Sequence, residues 1–207
     1  MIEHLGTIET VEVRSAGVRL TVRPDDAGGW ASGLELGESI ALDGCCLTLA
    51  EPVGSGRILA FDAIPETLAK TTLGGWRVGR RVHLERSMTA STLIGGHMVQ
   101  GHVDGVGEVV GVERAGGQWR TSIRVDPAFL PLVPPKGSVA VDGVSLTIAS
   151  VDRARSVFDI ALIPTTLEKT HLDKATEGVR VNLESDIIAR TVINTLTNFR
   201  HLVEGEG

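Results

Sequence analysis

Hydrophobic and polar residues alternate with a period of two through much of this chain. Residues 6–14 alternate and Gly17 closes the run; residues 18–23, Val-Arg-Leu-Thr-Val-Arg, alternate again. A period of two puts successive side chains on opposite faces of an extended chain, so both runs predict half-buried strands. Residues 25–37 are rich in Asp and Gly and predict a loop with room for one helical turn. The apolar positions then change parity. Ile40 and Leu42 come first, Asp43-Gly44 interrupts, and Cys45, Leu47 and Leu49 follow. Asp-Gly between alternating runs predicts a hairpin turn, because glycine accepts a positive φ there. Cys45 and Leu47 then face the core, and Cys46 and Thr48 face away from it, where small polar groups can meet a ligand. Residues 57–63 predict another strand, and Pro65-Glu66-Thr67-Leu68 a short helix with Pro in its first turn. Gly79 to Glu85 predicts the last strand of the set.

The same pattern returns 99 residues later, without a gap. Val139 and Val141 precede Asp142-Gly143, and Val144, Leu146 and Ile148 follow, which leaves Ser145 and Thr147 on the opposite face. Gly6 matches Gly105, Ile64-Pro65 matches Ile163-Pro164, Lys70-Thr71 matches Lys169-Thr170, and Glu85 matches Glu184. A single duplication of this length makes two units, each large enough for its own core. Many short strands in each unit predict an all-β architecture, a small closed Greek-key barrel used twice. Ser, Thr and Gly gather over 87–96. With the linker set at 91–96, the units span 1–90 and 97–185. From 186 onward the period becomes helical: Ala189, Val192, Leu196, Phe199 and Val203 are spaced by threes and fours, with Ser185 or Asp186 as the cap. This seam either packs on the second barrel or associates with other copies of the chain, within a tail running 186–207.

Composition narrows the function. A formal net charge of −6 and only three Trp and four Phe argue against a nucleic-acid surface, which needs a basic stripe or stacking rings. No apolar run approaches the ~18–20 residues of a membrane span. Met1-Ile2-Glu3-His4 lacks the basic start of a secretion signal, and two adjacent cysteines make a poor disulfide framework, so cytoplasm is the default.

His97 and His102 stand five apart, on opposite faces of a strand or roughly 140° apart on a helix, which is poor geometry for a shared metal. Cys45 matches Val144 and reads as a small core hydrophobe, whereas Cys46 matches Ser145 on the polar face. Nucleophile-elbow, P-loop and dinucleotide fingerprints are missing. The copies differ at polar positions: Gly37 against Lys136, Cys46 against Ser145, Glu66 against Thr165, and Ser87 against Asp186. Two units of one fold with divergent polar groups suit one kind of ligand held in two chemical roles.

The paired motifs Asp43-Gly44-Cys45-Cys46-Leu47-Thr48 and Asp142-Gly143-Val144-Ser145-Leu146-Thr147 resemble those of the riboflavin synthase α-chain family of lumazine-binding proteins. So do Gly95-Gly96-His97-Met98-Val99-Gln100-Gly101-His102 and Val181-Asn182-Leu183-Glu184-Ser185-Asp186. The resemblance covers nearly the whole chain. It implies two six-stranded Greek-key barrels, a C-terminal helix that trimerises, and a transferase that makes riboflavin from two molecules of 6,7-dimethyl-8-ribityllumazine. Neither metal nor redox cofactor is implied; lumazine synthase is a candidate partner. By position, Ser39, Cys46, Thr48 and His102 would serve the first barrel's site, and Lys136, Ser145, Thr147, Thr166 and Asp186 the second's. Ser39, Cys46, His102, Lys136, Ser145 and Asp186 would carry the chemistry. The substrate would further meet Gly6, Thr7, Ile8, Cys45, Leu47, His97, Gly101, Val103 and Leu146. Two matching segments would hold its pyrimidine and ribityl groups: Asp62, Ala63, Ile64, Pro65, Glu66 and Thr67, and Ile163, Pro164, Thr165, Thr166, Leu167 and Glu168.

Two positions depart from the family. It opens Met-Phe-Thr-Gly, where this chain aligns Glu3-His4-Leu5-Gly6, and its second-barrel Pro-Glu-Thr is Pro164-Thr165-Thr166 here. The alternatives are therefore a non-catalytic lumazine- or flavin-binding relative, or one that acts on a modified lumazine.

Overall fold

The alternating runs form strands, and the two copies form two β units with one strand order. The computed structural model describes residues 2–25, 29–54, 57–115 and 118–199. In the first unit, β1 (His4–Arg14) pairs with β2 (Gly17–Pro24), and β3 (Ser39–Leu42) with β4 (Cys45–Thr48). With β5 (Leu59–Ala63) and β6 (Arg81–Arg86) they make a six-stranded sheet ordered β4-β3-β6-β1-β2-β5, and α1 (Pro65–Lys70) lies between β5 and β6 in sequence. The second unit repeats this with β7 (Gly105–Ala115), β8 (Gln118–Arg124), β9 (Ser138–Val141), β10 (Val144–Asp152), β11 (Val157–Leu162), α2 (Pro164–Lys169) and β12 (Arg180–Ser185), and its sheet closes into a barrel. α3 (Ile187–Asn198) follows. Among the described residues no helix is long and apolar enough to cross a membrane.

The units differ at one seam. β10 continues to Asp152 and pairs with β11 from Ile148↔Ile160 to Asp152↔Val157. In the first unit the same seam is held by the bridge Leu49↔Phe61 and by Ala50 N–H donating to Ala60 O at 2.8 Å. Pro52 stands where the second copy has Val151. A proline has no N–H to continue the ladder. The closed barrel expected twice is thus a full ladder in the second unit and a bridged seam in the first.

Each unit encloses its own core. Ile8, Leu20, Val22, Ile40, Leu42 and Phe61 pack in the first, and Ile123, Val139, Ile148, Phe158 and Ile160 in the second. The residues just before each unit's first strand cross over. Ile2 packs against the second core and Val103 against the first. Both Asp-Gly turns have positive φ at both positions, 44° and 73° at Asp43-Gly44 and 46° and 82° at Asp142-Gly143, the two-residue turn that suits strand twist. Their tips touch. A Cβ on Gly44 would lie 2.5 Å from Gly143 N, and one on Gly143 2.9 Å from Gly44 N.

Around this contact the two copies exchange equivalent hydrogen bonds. Asp43 accepts His83 N–H at 2.7 Å, and its counterpart Asp142 accepts Asn182 N–H at 2.7 Å. Asn182 donates its amide to Asp43 O (2.9 Å) and accepts Thr72 N–H (2.7 Å). At the matching position His83 donates Nδ1–H to Asp142 O (2.7 Å) and accepts His171 N–H on Nε2 (3.0 Å), which fixes a neutral tautomer with its proton on Nδ1. The His83 and His171 rings stack 3.8 Å apart. His171 Nε2 bonds Asp43 Oδ1 at 2.7 Å, and Arg80 donates to Asp43 Oδ2 at 3.0 Å. Burial alone would raise the Asp43 carboxyl, yet His171, His83 and Arg80 pull it below the usual carboxylate range. Burial and then the Asp43 charge push Asp142 up. Burial would lower His171, but the Asp43 charge raises it overall.

Candidate functional site

Two polar faces stand where the parity of the strands puts them. On β3 and β4, Ser39 pairs with Thr48 across the strands; Cys46 is half-buried and Thr48 exposed, while Cys45 and Leu47 point into the core. On β9 and β10, Ser145 is half-buried and Thr147 exposed, with Leu146 in the core. Exposed residues also stand at the helix starts, Ile64 and Pro65 in the first unit and Ile163 and Pro164 in the second.

The segment 96–101, the end of the linker and the residues after it, runs between these faces. Gly101 O accepts Cys46 N–H at 2.9 Å, and a Cβ on Gly101 would lie 2.7 Å from Cys46 Cβ. At its other end, a Cβ on Gly96 would lie 2.3 Å from Ser145 Oγ. His97 meets the same hydroxyl, with Nδ1 at 2.7 Å, and burial lowers its pKa. Thus Cys46 and Ser145, counterparts in the repeat, each touch one end of the segment 96–101. A cavity of about 170 Å³ beside Cys46 is lined by Ile2, Ala41, Glu85, Met88, Val99 and Gln100.

The other expected residues fall into three groups. Gly6 and Ile8 lie inside the first barrel; a Cβ on Gly6 would sit 2.9 Å from Leu84 and Val22, so this glycine serves packing. With Cys45, Leu47 and Leu146 they offer a ligand only their backbone. A second group is tied down on the surface. Arg81 donates to Thr7 at 2.9 Å, Arg19 grips Asp62 with two bonds and also pairs with Glu51, and Glu66 pairs with Lys70 at 3.1 Å. Asp186 caps α3 by accepting Ile188 N–H at 2.9 Å. The third group is exposed or half-exposed at the strand and helix ends: Ala63 excepted, it includes Thr67, His102, Val103, Lys136, Thr165, Thr166, Leu167 and Glu168.

Three features were not read from the sequence. Trp30 packs its ring 5.0 Å from His4 and donates to Glu3 at 2.7 Å, so a second aromatic ring stands beside the residue aligned with the family's Phe. Glu184 is 3 % exposed and binds the backbone at Gly101. Asp43, His83 and His171 bring three possible metal-ligand atoms within 4.8 Å. Both His83 nitrogens already hold backbone partners, and stacked rings direct their lone pairs in parallel, so this trio fits a hydrogen-bonded contact better than a metal.

The model of the lumazine binding domain matches residues 1–87 and again 100–186. The chain belongs to the lumazine binding domain family. It is 40 % identical over 199 residues to the riboflavin synthase of Mycobacterium tuberculosis (strain ATCC 25618 / H37Rv), covering 93 % of this chain and 94 % of that one. To the riboflavin synthase of Bacillus subtilis (strain 168) it is 35 % identical over 190 residues, covering 92 % and 85 %. Among solved structures it resembles LumP complexed with riboflavin, with a TM-score of 0.78, 22 % identity and 89 % and 96 % of the two chains covered. LumP complexed with 6,7-dimethyl-8-(1'-D-ribityl) lumazine gives a TM-score of 0.77, 22 % identity and coverage of 89 % and 97 %. These two likenesses concern the fold.

Proposed function

We propose that this chain is a transferase that converts two molecules of 6,7-dimethyl-8-ribityllumazine into riboflavin and 5-amino-6-(ribitylamino)uracil by moving a four-carbon unit between them. The observation that carries this reading is a lumazine-binding unit matched twice, with polar faces kept in both copies, in a chain close to riboflavin synthases over most of its length. The lumazine methyl on C7 is acidic, because its carbanion delocalises into the ring, so a modest base suffices. The partner ring takes up a nucleophile before it releases its carbons. The two products together contain all the atoms of the two substrates, so the reaction consumes no oxidant or reductant.

In this reading Ser39, Cys46, Thr48 and His102 serve the first site, with His102 assisting proton transfer. Lys136, Ser145, Thr147, Thr166 and Asp186 serve the second, and backbone groups of 62–67 and 163–168 hold pyrimidine and ribityl. Residues 1–90 and 97–185 act as the two binding units joined by 91–96, and 186–207 as the trimerisation segment, of which Val203 and the rest of 200–207 lie outside the described residues. Within one chain the segment 96–101 stands between Cys46 and Ser145. This supports a site formed by the first unit of one copy and the second unit of its neighbour in a homotrimer. Cytoplasm is the compartment proposed, and lumazine synthase the candidate partner that supplies substrate.

The deciding experiment incubates the purified chain with 6,7-dimethyl-8-ribityllumazine alone and follows riboflavin absorbance and fluorescence. Riboflavin should accumulate in a ratio of one per two lumazines consumed. Binding of lumazine without product would instead make the chain a carrier of the ligand.

A further inference from the structure

Glu184 lies on β12, where its side chain is buried beneath residues 100–102. Its carboxylate accepts three successive backbone N–H groups. Oε1 takes Gln100 N–H at 2.7 Å, and Oε2 takes Gly101 N–H at 2.9 Å and His102 N–H at 3.1 Å. Consecutive N–H groups converging on one anion form a nest, curled here by Gly101 at φ +79°. The opposite side of the same peptide faces β4, where Gly101 O accepts Cys46 N–H. Residues 100–102 are therefore held between a carboxylate of the second unit and a strand of the first. Arg190 of α3 secures the ends of this segment, donating to Gln100 Oε1 at 3.2 Å and to Asp104 Oδ1 at 2.6 Å.

We propose that Glu184 is a positioning residue that fills the nest at 100–102 and so sets where Cys46 and His102 stand in the first unit's site. The inference rests on the assignment of Cys46 and His102 to that site. Burial of a carboxylate is unfavourable unless strong donors meet it. Burial does raise the pKa of Glu184, and the N–H groups of Gln100, Gly101 and His102 act against that rise. The acid is thus matched to one conformation of one segment. Its counterpart in the repeat, Glu85, lines the cavity beside Cys46 from the other unit.

Glu184→Gln keeps the size of the side chain but offers the three donors a single acceptor oxygen and an opposing N–H group. In the full-length chain, iodoacetamide should label Cys46, because Cys45 is buried with its thiol pushed up to about 12, by burial first. The labelling rate should rise roughly tenfold in E184Q as the Gly101 peptide leaves Cys46. Turnover of dimethylribityllumazine should fall about 100-fold in kcat, with KM within a few-fold of the parent value. Glu184→Asp keeps two acceptor oxygens and should recover part of both. Gly101→Ala displaces the same peptide from the Cys46 side, and it carries the test if E184Q does not fold. Parental labelling rates in E184Q and G101A overturn the proposal. A parent chain that never turns over lumazine defeats the proposed reaction instead, and the labelling rates then still decide the positioning.

Discussion

At the contact between the units, His83 occupies the position that Asn182 holds in the other copy, and each side chain donates once and accepts once there. A carboxamide does this at any pH, whereas an imidazole does it only while neutral. Burial first, and then the His171 charge, hold the His83 pKa down to about 4. In the unfolded chain the same ring titrates near ~6.5. As pH falls through that window the unfolded state takes up a proton that the folded state refuses, so stability present above about pH 6.5 is lost toward pH 4. His171 has the opposite sign. Its pKa is raised by Asp43, so its contribution is present in acid and is lost as pH rises through the folded value. His83→Asn should copy the bonds of Asn182 and remove the acid-side loss, which is worth a few kcal/mol at about 1.4 kcal/mol per pKa unit. Urea midpoints between about pH 6.5 and pH 4.5 check this. The parent should fall steeply and H83N should stay flatter; parallel declines would show that the acid sensitivity lies elsewhere.

Among the described residues, α3 has an apolar side that is largely exposed. Ile188 is 71 % exposed, Val192 50 %, Leu196 49 % and Phe199 46 %. α3 touches the second unit near residues 127–132, yet much of the seam stays open among the described residues, which suits association between copies. Val192→Asp with Leu196→Asp leaves Asp186, Arg190 and their bonds in place and puts charge into the seam. Sedimentation should then change from three chains to one; an unchanged trimer would move the interface elsewhere. The helix, the hairpins and the short helices after Ile64 and Ile163 were all legible in the sequence, because each rests on local periodicity or turn chemistry. The partial seam of the first unit was written in Pro52 but shows only when the copies are compared. Glu184 was hidden for a physical reason. A period of two marks it as the outward side of β12, and its burial comes from a segment, 100–102, more than 80 residues earlier, which no local pattern reports. The pairing of His83 with His171 is illegible on the same ground, since it spans the contact between units.

For the whole molecule, duplication supplies one frame twice, and the polar differences between the copies decide whether the two sites act alike. Gly37 and Lys136 show that the frame is kept. Gly37 N–H donates to Leu49 O at 3.0 Å and Lys136 N–H to Ile148 O at 3.0 Å, with φ of +87° and +66°. Glycine holds a left-handed φ without strain, whereas a residue with a Cβ loses roughly 1–2 kcal/mol there. The second unit thus carries a lysine at a position where its own backbone disfavours one, in keeping with the proposed use of this cation at the second site. The first unit has its own local feature, the Arg19 grip on Asp62 and Glu51, where the second copy has Gln118, Ala161 and Ser150. Two faces with one shape and different charge should bind one flavin unequally. Calorimetric titration of the full-length chain with riboflavin should give two classes of site that differ at least about tenfold in Kd, equivalent to about 1.4 kcal/mol. Lys136→Gly transfers the first unit's residue into the second and relieves the strained φ. It should raise the melting temperature slightly while weakening only the second class of site. A single affinity in the parent, or a loss divided evenly between both classes in K136G, would mean that the copies diverged in sequence without diverging as binding sites.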